Sequence, residues 1–84
     1  MTEGTIAERV RRTMAAVFQE DIDRITDDTT PGTLQSWDSI GQMTLIVALE
    51  EEFDVRFSDE HTDRLRSFTD AVSIVEDATA NAGA

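Results

Sequence analysis

The chain has 84 residues, enough for one small domain with a limited core and no room for a deep cleft beside a separate catalytic apparatus. Seven basic against eighteen acidic residues give a formal net charge of -11. That field repels nucleic acid and anionic lipid, which are bound through Lys and Arg, so neither nucleic acid nor membrane is expected as a partner. The absence of Cys excludes a disulfide framework and a thiolate metal site.

No apolar run is long enough to span a bilayer, and the N-terminus lacks the charged-then-apolar order of a secretion signal. A cytoplasmic protein is expected. The acidic surface favours partners with basic patches and equally serves plain solubility.

In chain order, Thr5-Ile6-Ala7-Glu8 forms a capping box, in which Thr5 and Glu8 each satisfy one orphan amide. Ile6, Val10, Met14, Val17 and Phe18 then recur at helical spacing, which predicts helix I to Phe18 or Gln19. From Glu20 to Asp38 the periodicity breaks, and Asp, Thr, Pro31 and Gly32 mark a long loop. Ile22, Ile25 and Leu34 are the apolar residues available to pin that loop to a core. Asp21, Asp23 and Asp27 resemble the start of a calcium loop, but the mid-loop Gly and the closing Glu are missing, and no metal site is expected.

Helix II is predicted from Asp38 or Ser39 to about Asp54. Ser58 serves as N-cap for a short helix III ending near Leu65. Ser67 with Asp70 reads as a further capping box. Phe68, Ala71, Val72, Val75 and Ala78 give helix IV one apolar face, and the tail from about 79 to 84 is expected to fray. No segment alternates with a period of two. The fold expected is all-α: a single domain over residues 1–84, a four-helix bundle with a short third helix and a long loop between helices I and II.

Helix II is the informative element. At about 100° per residue, Leu45, Ile46, Leu49 and Phe53 share one side and form a core stripe. Ile40, Met43 and Val47 gather roughly opposite, with Glu50 and Glu51 flanking them. A surface helix needs one apolar face, so the second stripe either lies sandwiched between the long loop and helix IV or meets a partner. At the head of the helix stands Trp37-Asp38-Ser39-Ile40. Asp and Ser there are ordinary caps. The same placement also presents a hydroxyl at a helix tip, where free amides and the dipole favour a phosphate.

Over nearly its whole length the chain resembles the acyl carrier protein family. Thr5-Ile6-Ala7-Glu8-Arg9-Val10 is similar to the family's opening helix, and Asp38-Ser39-Ile40 to its Asp-Ser-Leu attachment motif. Ala48-Leu49-Glu50-Glu51-Glu52-Phe53-Asp54 resembles the end of its second helix, and Ser58-Asp59-Glu60 through Leu65 and Phe68 its third helix and the entry to the fourth.

The resemblance implies a monomeric carrier without catalytic activity of its own. A phosphopantetheinyl transferase would attach 4′-phosphopantetheine from coenzyme A to Ser39, with Asp38 helping to position a magnesium ion. The arm's thiol would carry acyl groups as thioesters between acyl-transferring or condensing enzymes with basic docking patches. The family's docking surface, carried over, comprises Asp38, Ile40, Met43, Val47, Glu50 and Glu51.

Gly41, Gln42 and Thr44 stand where carriers of fatty-acid synthesis often have acidic residues, and Trp37 resembles stand-alone carriers of specialised pathways, such as polyketide or hydroxyacyl assembly. Peptidyl carriers are similar but typically have a Gly pair where Ser36 and Trp37 stand here. An unmodified acidic adaptor would explain the second stripe and the charge but not the serine motif. A hydrolase built on Ser39 and the lone His61 would lack an oxyanion hole and a pocket.

Overall fold

The computed structural model describes residues 4–82. Its helices are α1 (Ile6–Phe18), α2 (Ser39–Phe53), α3 (Asp59–Arg64) and α4 (Phe68–Ala82), with one turn of 3₁₀ helix at Ile22–Arg24. There is no strand among the described residues. The all-α architecture, the short third helix and the long first loop are as the sequence predicts.

Local chemistry sets the helix ends. Thr5 Oγ1 accepts from the Glu8 amide at 3.1 Å while Glu8 Oε1 accepts from the Thr5 amide at 2.9 Å, which is the predicted box. Ser58 Oγ likewise accepts from the His61 amide at 3.2 Å, and His61 Nδ1 returns the bond by accepting from the Ser58 amide at 3.2 Å. His61 is thus a capping residue, half-buried edge-on against Phe57. At α4, Ser67 Oγ caps the Asp70 amide at 3.0 Å, but the Asp70 carboxylate accepts from Arg66 and not from Ser67. α1 and α2 both end on a residue in the left-handed region, Gln19 (φ 56°) and Asp54 (φ 55°), where Gly is the usual choice. α4 continues through Ala82, so residues 79–82 are helical; 83 and 84 lie outside the described residues.

The core joins Val10, Met14 and Phe18 of α1 to Leu45 and Leu49 of α2 and to Phe68, Ala71, Ile74 and Val75 of α4. Ile46 and Phe53, placed on the core stripe by their spacing, pack against this cluster while half-buried. The long loop adds Ile25, Leu34 and Trp37, whereas Ile22 is exposed. Burial of each such large side chain contributes about 1.5–3 kcal/mol, which pins the loop to the core.

Thr29 explains how that loop stays folded without regular structure. It is buried, and its hydroxyl accepts from the Thr26 amide at 2.8 Å while its carbonyl accepts from the Phe68 amide at 2.9 Å. The loop is therefore bonded to the first turn of α4. Arginines clamp the remaining elements. Arg9 pairs with Glu52 at 3.0 Å and stacks over Phe53, Arg11 stacks over Phe68 and donates to the Ile25 carbonyl, and Arg64 joins Asp77 at 2.9 Å.

Candidate functional site

The site begins at the turn before α2. Asp38 is the N-cap, its Oδ1 accepting from the Gly41 amide at 2.8 Å. Ser39 follows as the first residue of the helix and is exposed. The first-turn amides of Ser39 and Ile40 have no carbonyl to bond within the helix, and the positive end of a fifteen-residue dipole adds to them. A phosphodiester on Ser39 Oγ would be electrostatically favoured there. Beside the hydroxyl lies an open depression of about 390 Å³, walled by Pro31, Trp37, Asp38, Gln42 and Leu65.

Along α2 the structure brings the second stripe to the surface. Ile40 is 77% exposed, Met43 69% and Val47 53%, while Leu45 and Leu49 on the opposite side are fully buried. Neither the loop nor α4 covers the stripe, which excludes the sandwiched alternative. Met43, Thr44, Val47, Ala48 and Glu51 line a shallow groove of about 400 Å³.

Glu51 is exposed at its edge. Glu50, expected on the same rim, is half-buried, and its carboxylate accepts from the Phe57 amide at 2.8 Å. It holds the α2–α3 turn, so the negative charge beside the stripe is narrower than the sequence implies. A second groove between α1 and α2 places Arg9 and Arg12 alongside Glu51 and Glu52, which offsets that charge further.

Two residues read as neutral replacements on the docking front have other tasks. Gly41 faces inward: a Cβ there would strike the Ser36 carbonyl oxygen and come within 3.1 Å of Phe18 Cε1. The glycine is needed because the loop backbone crosses against the helix at that point. Gln42 is half-buried and turned toward α3. Its Oε1 accepts from the Trp37 indole at 2.6 Å, and Nε2 donates to the Leu65 carbonyl at 3.2 Å. Of the three, only Thr44 is exposed beside the stripe.

Trp37 itself is 3% exposed and stacks on Phe18 with ring centroids 5.5 Å apart. Periodicity within α2 could not reveal either contact, since Trp37 itself and Phe18 lie outside the helix. The signal available was chemical: a Trp two residues before the serine needs an acceptor when buried, and Gln42 is one turn away.

No helix among the described residues is long and apolar enough to cross a membrane. No group of three or more His, Cys, Asp or Glu side chains among them converges as a metal site.

Residues 8–72 match the family described as the phosphopantetheine attachment site. The chain is 30% identical over 76 residues to an acyl carrier protein of Akkermansia muciniphila, covering 90% of this chain and 95% of that one. It is 29% identical over 75 residues to an acyl carrier protein of Caulobacter vibrioides, covering 89% of this chain and 96% of the relative. The solution structure of a holo acyl carrier protein from Geobacter metallireducens superposes with a TM-score of 0.79 at 25% identity, over 90% of this chain and 87% of that one.

Proposed function

The chain belongs to the acyl carrier protein family, and from that premise we propose that it holds acyl groups as thioesters on a 4′-phosphopantetheine arm attached to Ser39. The observation that carries this reading is the uncovered Ser39 hydroxyl at the tip of α2, within the matched attachment region. The surroundings suit the arm: an exposed nucleophile, a helix end that favours its phosphate, and an open depression alongside.

Ser39 Oγ attacks the phosphorus of coenzyme A that bears pantetheine. The new O–P bond replaces the pyrophosphate link, adenosine 3′,5′-bisphosphate leaves, and the hydroxyl proton passes to a base of a separate phosphopantetheinyl transferase. Asp38 caps the helix through Oδ1, and its second oxygen would help to position the transferase's magnesium ion. When attached, the arm supplies the thiol that holds the acyl group, which a chain without Cys does not supply itself.

Ile40, Met43 and Val47, with Glu51 at their edge, form the docking surface for the transferase and for acyl-transferring or condensing enzymes. Covering the exposed parts of three such side chains is worth about 3–6 kcal/mol before the costs of association, which suits brief encounters. Past Asp38 the front of this surface is apolar and neutral, and the acidic side chains of α2 stand only toward its C-terminal end. That favours a specialised pathway, such as polyketide or hydroxyacyl assembly, over housekeeping fatty-acid synthesis.

The protein works as a cytoplasmic monomer without catalysis of its own. The test is intact mass after incubation with coenzyme A, magnesium and a promiscuous transferase. One phosphopantetheinyl group should be gained, and an unmodified adaptor would gain none.

A further inference from the structure

Gln42 joins two groups that differ in what they can exchange. An indole N–H only donates, and a backbone carbonyl only accepts. The Gln42 side chain takes the first at 2.6 Å with its oxygen, and with its nitrogen gives to Leu65 at 3.2 Å and, more loosely, to Thr62 at 3.5 Å. A carboxylate in its place would lack the donor, an ammonium or guanidinium the acceptor, and Leu both.

The bridge spans the site. Trp37 lies two residues before Ser39, and Leu65 closes α3. Trp37, Asp38, Ser39, Gln42 and Leu65 share the wall of the depression beside the hydroxyl.

We propose that Gln42 is a positioning residue for group transfer at Ser39: its amide locks the Trp37-Asp38-Ser39 corner to the end of α3, so that the hydroxyl meets a partner enzyme in one geometry. This rests on the reading of Ser39 as the attachment site. Transfer between two proteins depends steeply on placement, and small displacements cost large factors in rate. Without the bridge, the Asp38 cap and the stacking of Trp37 on Phe18 still hold the helix start, so the domain stays folded while the corner loosens. The loss falls on turnover, because Ile40, Met43 and Val47 lie on another face of α2 and continue to bind.

The test is steady-state kinetics of phosphopantetheinyl transfer, with saturating coenzyme A, at a temperature where circular dichroism shows every variant folded. Gln42→Leu removes both bonds, Gln42→Glu keeps the acceptor and loses the donor, and Trp37→Phe keeps the stacking and loses the indole N–H. For both Gln42 variants kcat should fall about tenfold, with the KM for the carrier within about twofold of wild type. The emission of Trp37, the sole tryptophan, should shift in Gln42→Leu. The double variant Trp37→Phe/Gln42→Leu should be no slower than the slower single variant, as a shared bridge requires.

An unchanged kcat in a folded Gln42→Leu, or a rise in KM alone, overturns the proposal while leaving the carrier reading intact. A wild-type chain that accepts no arm overturns the carrier reading and this proposal with it.

Discussion

Gly41→Ala should lower the melting temperature, against the direction that helix propensity dictates. In an open helix interior the exchange stabilises by about 1 kcal/mol. Here the added methyl would collide with the Ser36 carbonyl oxygen and press Phe18 Cε1 at 3.1 Å. The first obstacle is backbone and cannot rotate aside. It belongs to a turn held by the Trp37 amide on the Leu34 carbonyl at 2.9 Å and by a buried indole.

Overpacking of this kind costs about 2–3 kcal/mol, and the propensity gain offsets about one of these, leaving a net loss of about 1–2 kcal/mol. For a domain of this size that is a fall of roughly 4–16 °C. Thermal unfolding followed by far-ultraviolet circular dichroism reads it directly. An unchanged or raised melting temperature would mean that the loop does not cross α2 at Gly41, and the close approach drawn above would be wrong.

The two sides of α2 should separate by mutation. Leu49→Ala, at a fully buried site, should cost about 2–5 kcal/mol in urea unfolding. Val47→Asp, 53% exposed, should change stability by no more than about 0.5 kcal/mol yet slow transfer of the arm, and if it unfolds the protein the stripe is core. Thr29→Val should cost about 0.5–1.5 kcal/mol by removing the buried hydroxyl that accepts from the Thr26 amide, and a neutral result would show that this bond does not hold the loop. Asp54→Gly should raise stability in urea unfolding by up to about 1 kcal/mol, because Gly adopts φ 55° with less strain than Asp; a decrease would contradict that cap.

How far the sequence reached follows from the range of the forces involved. Capping and periodicity act within one turn or one helix, so Thr5, Glu8 and Ser58 and the opposed stripes of Leu49 and Val47 were legible without a structure. The elements that escaped depend on segments distant in the chain. Gly41 reads as a weak helix residue until Ser36 and Phe18 are placed against it, and Glu50 reads as a rim charge until Phe57 arrives to use its carboxylate. Thr29 has no periodic neighbour and is revealed only by its bond to Phe68. Ile22 and Ile25 are alike in composition, and only the course of the chain after the 3₁₀ turn decides that Ile25 is buried and Ile22 is not.

Site-resolved mass spectrometry of the loaded protein tests the central claim most directly. Trypsin releases residues 25–56 as one peptide that contains both Ser36 and Ser39, since no Lys or Arg lies between Arg24 and Arg56. Ser36 is an exposed hydroxyl three residues away, but it lies in the turn and not at the helix tip, which makes it an internal control. Fragmentation of that peptide should place a single phosphopantetheinyl group on Ser39, with Ser36 and every Thr unmodified, and the folded Ser39→Ala protein should gain nothing. An arm on any other residue, or an adduct that persists in Ser39→Ala, would contradict the account.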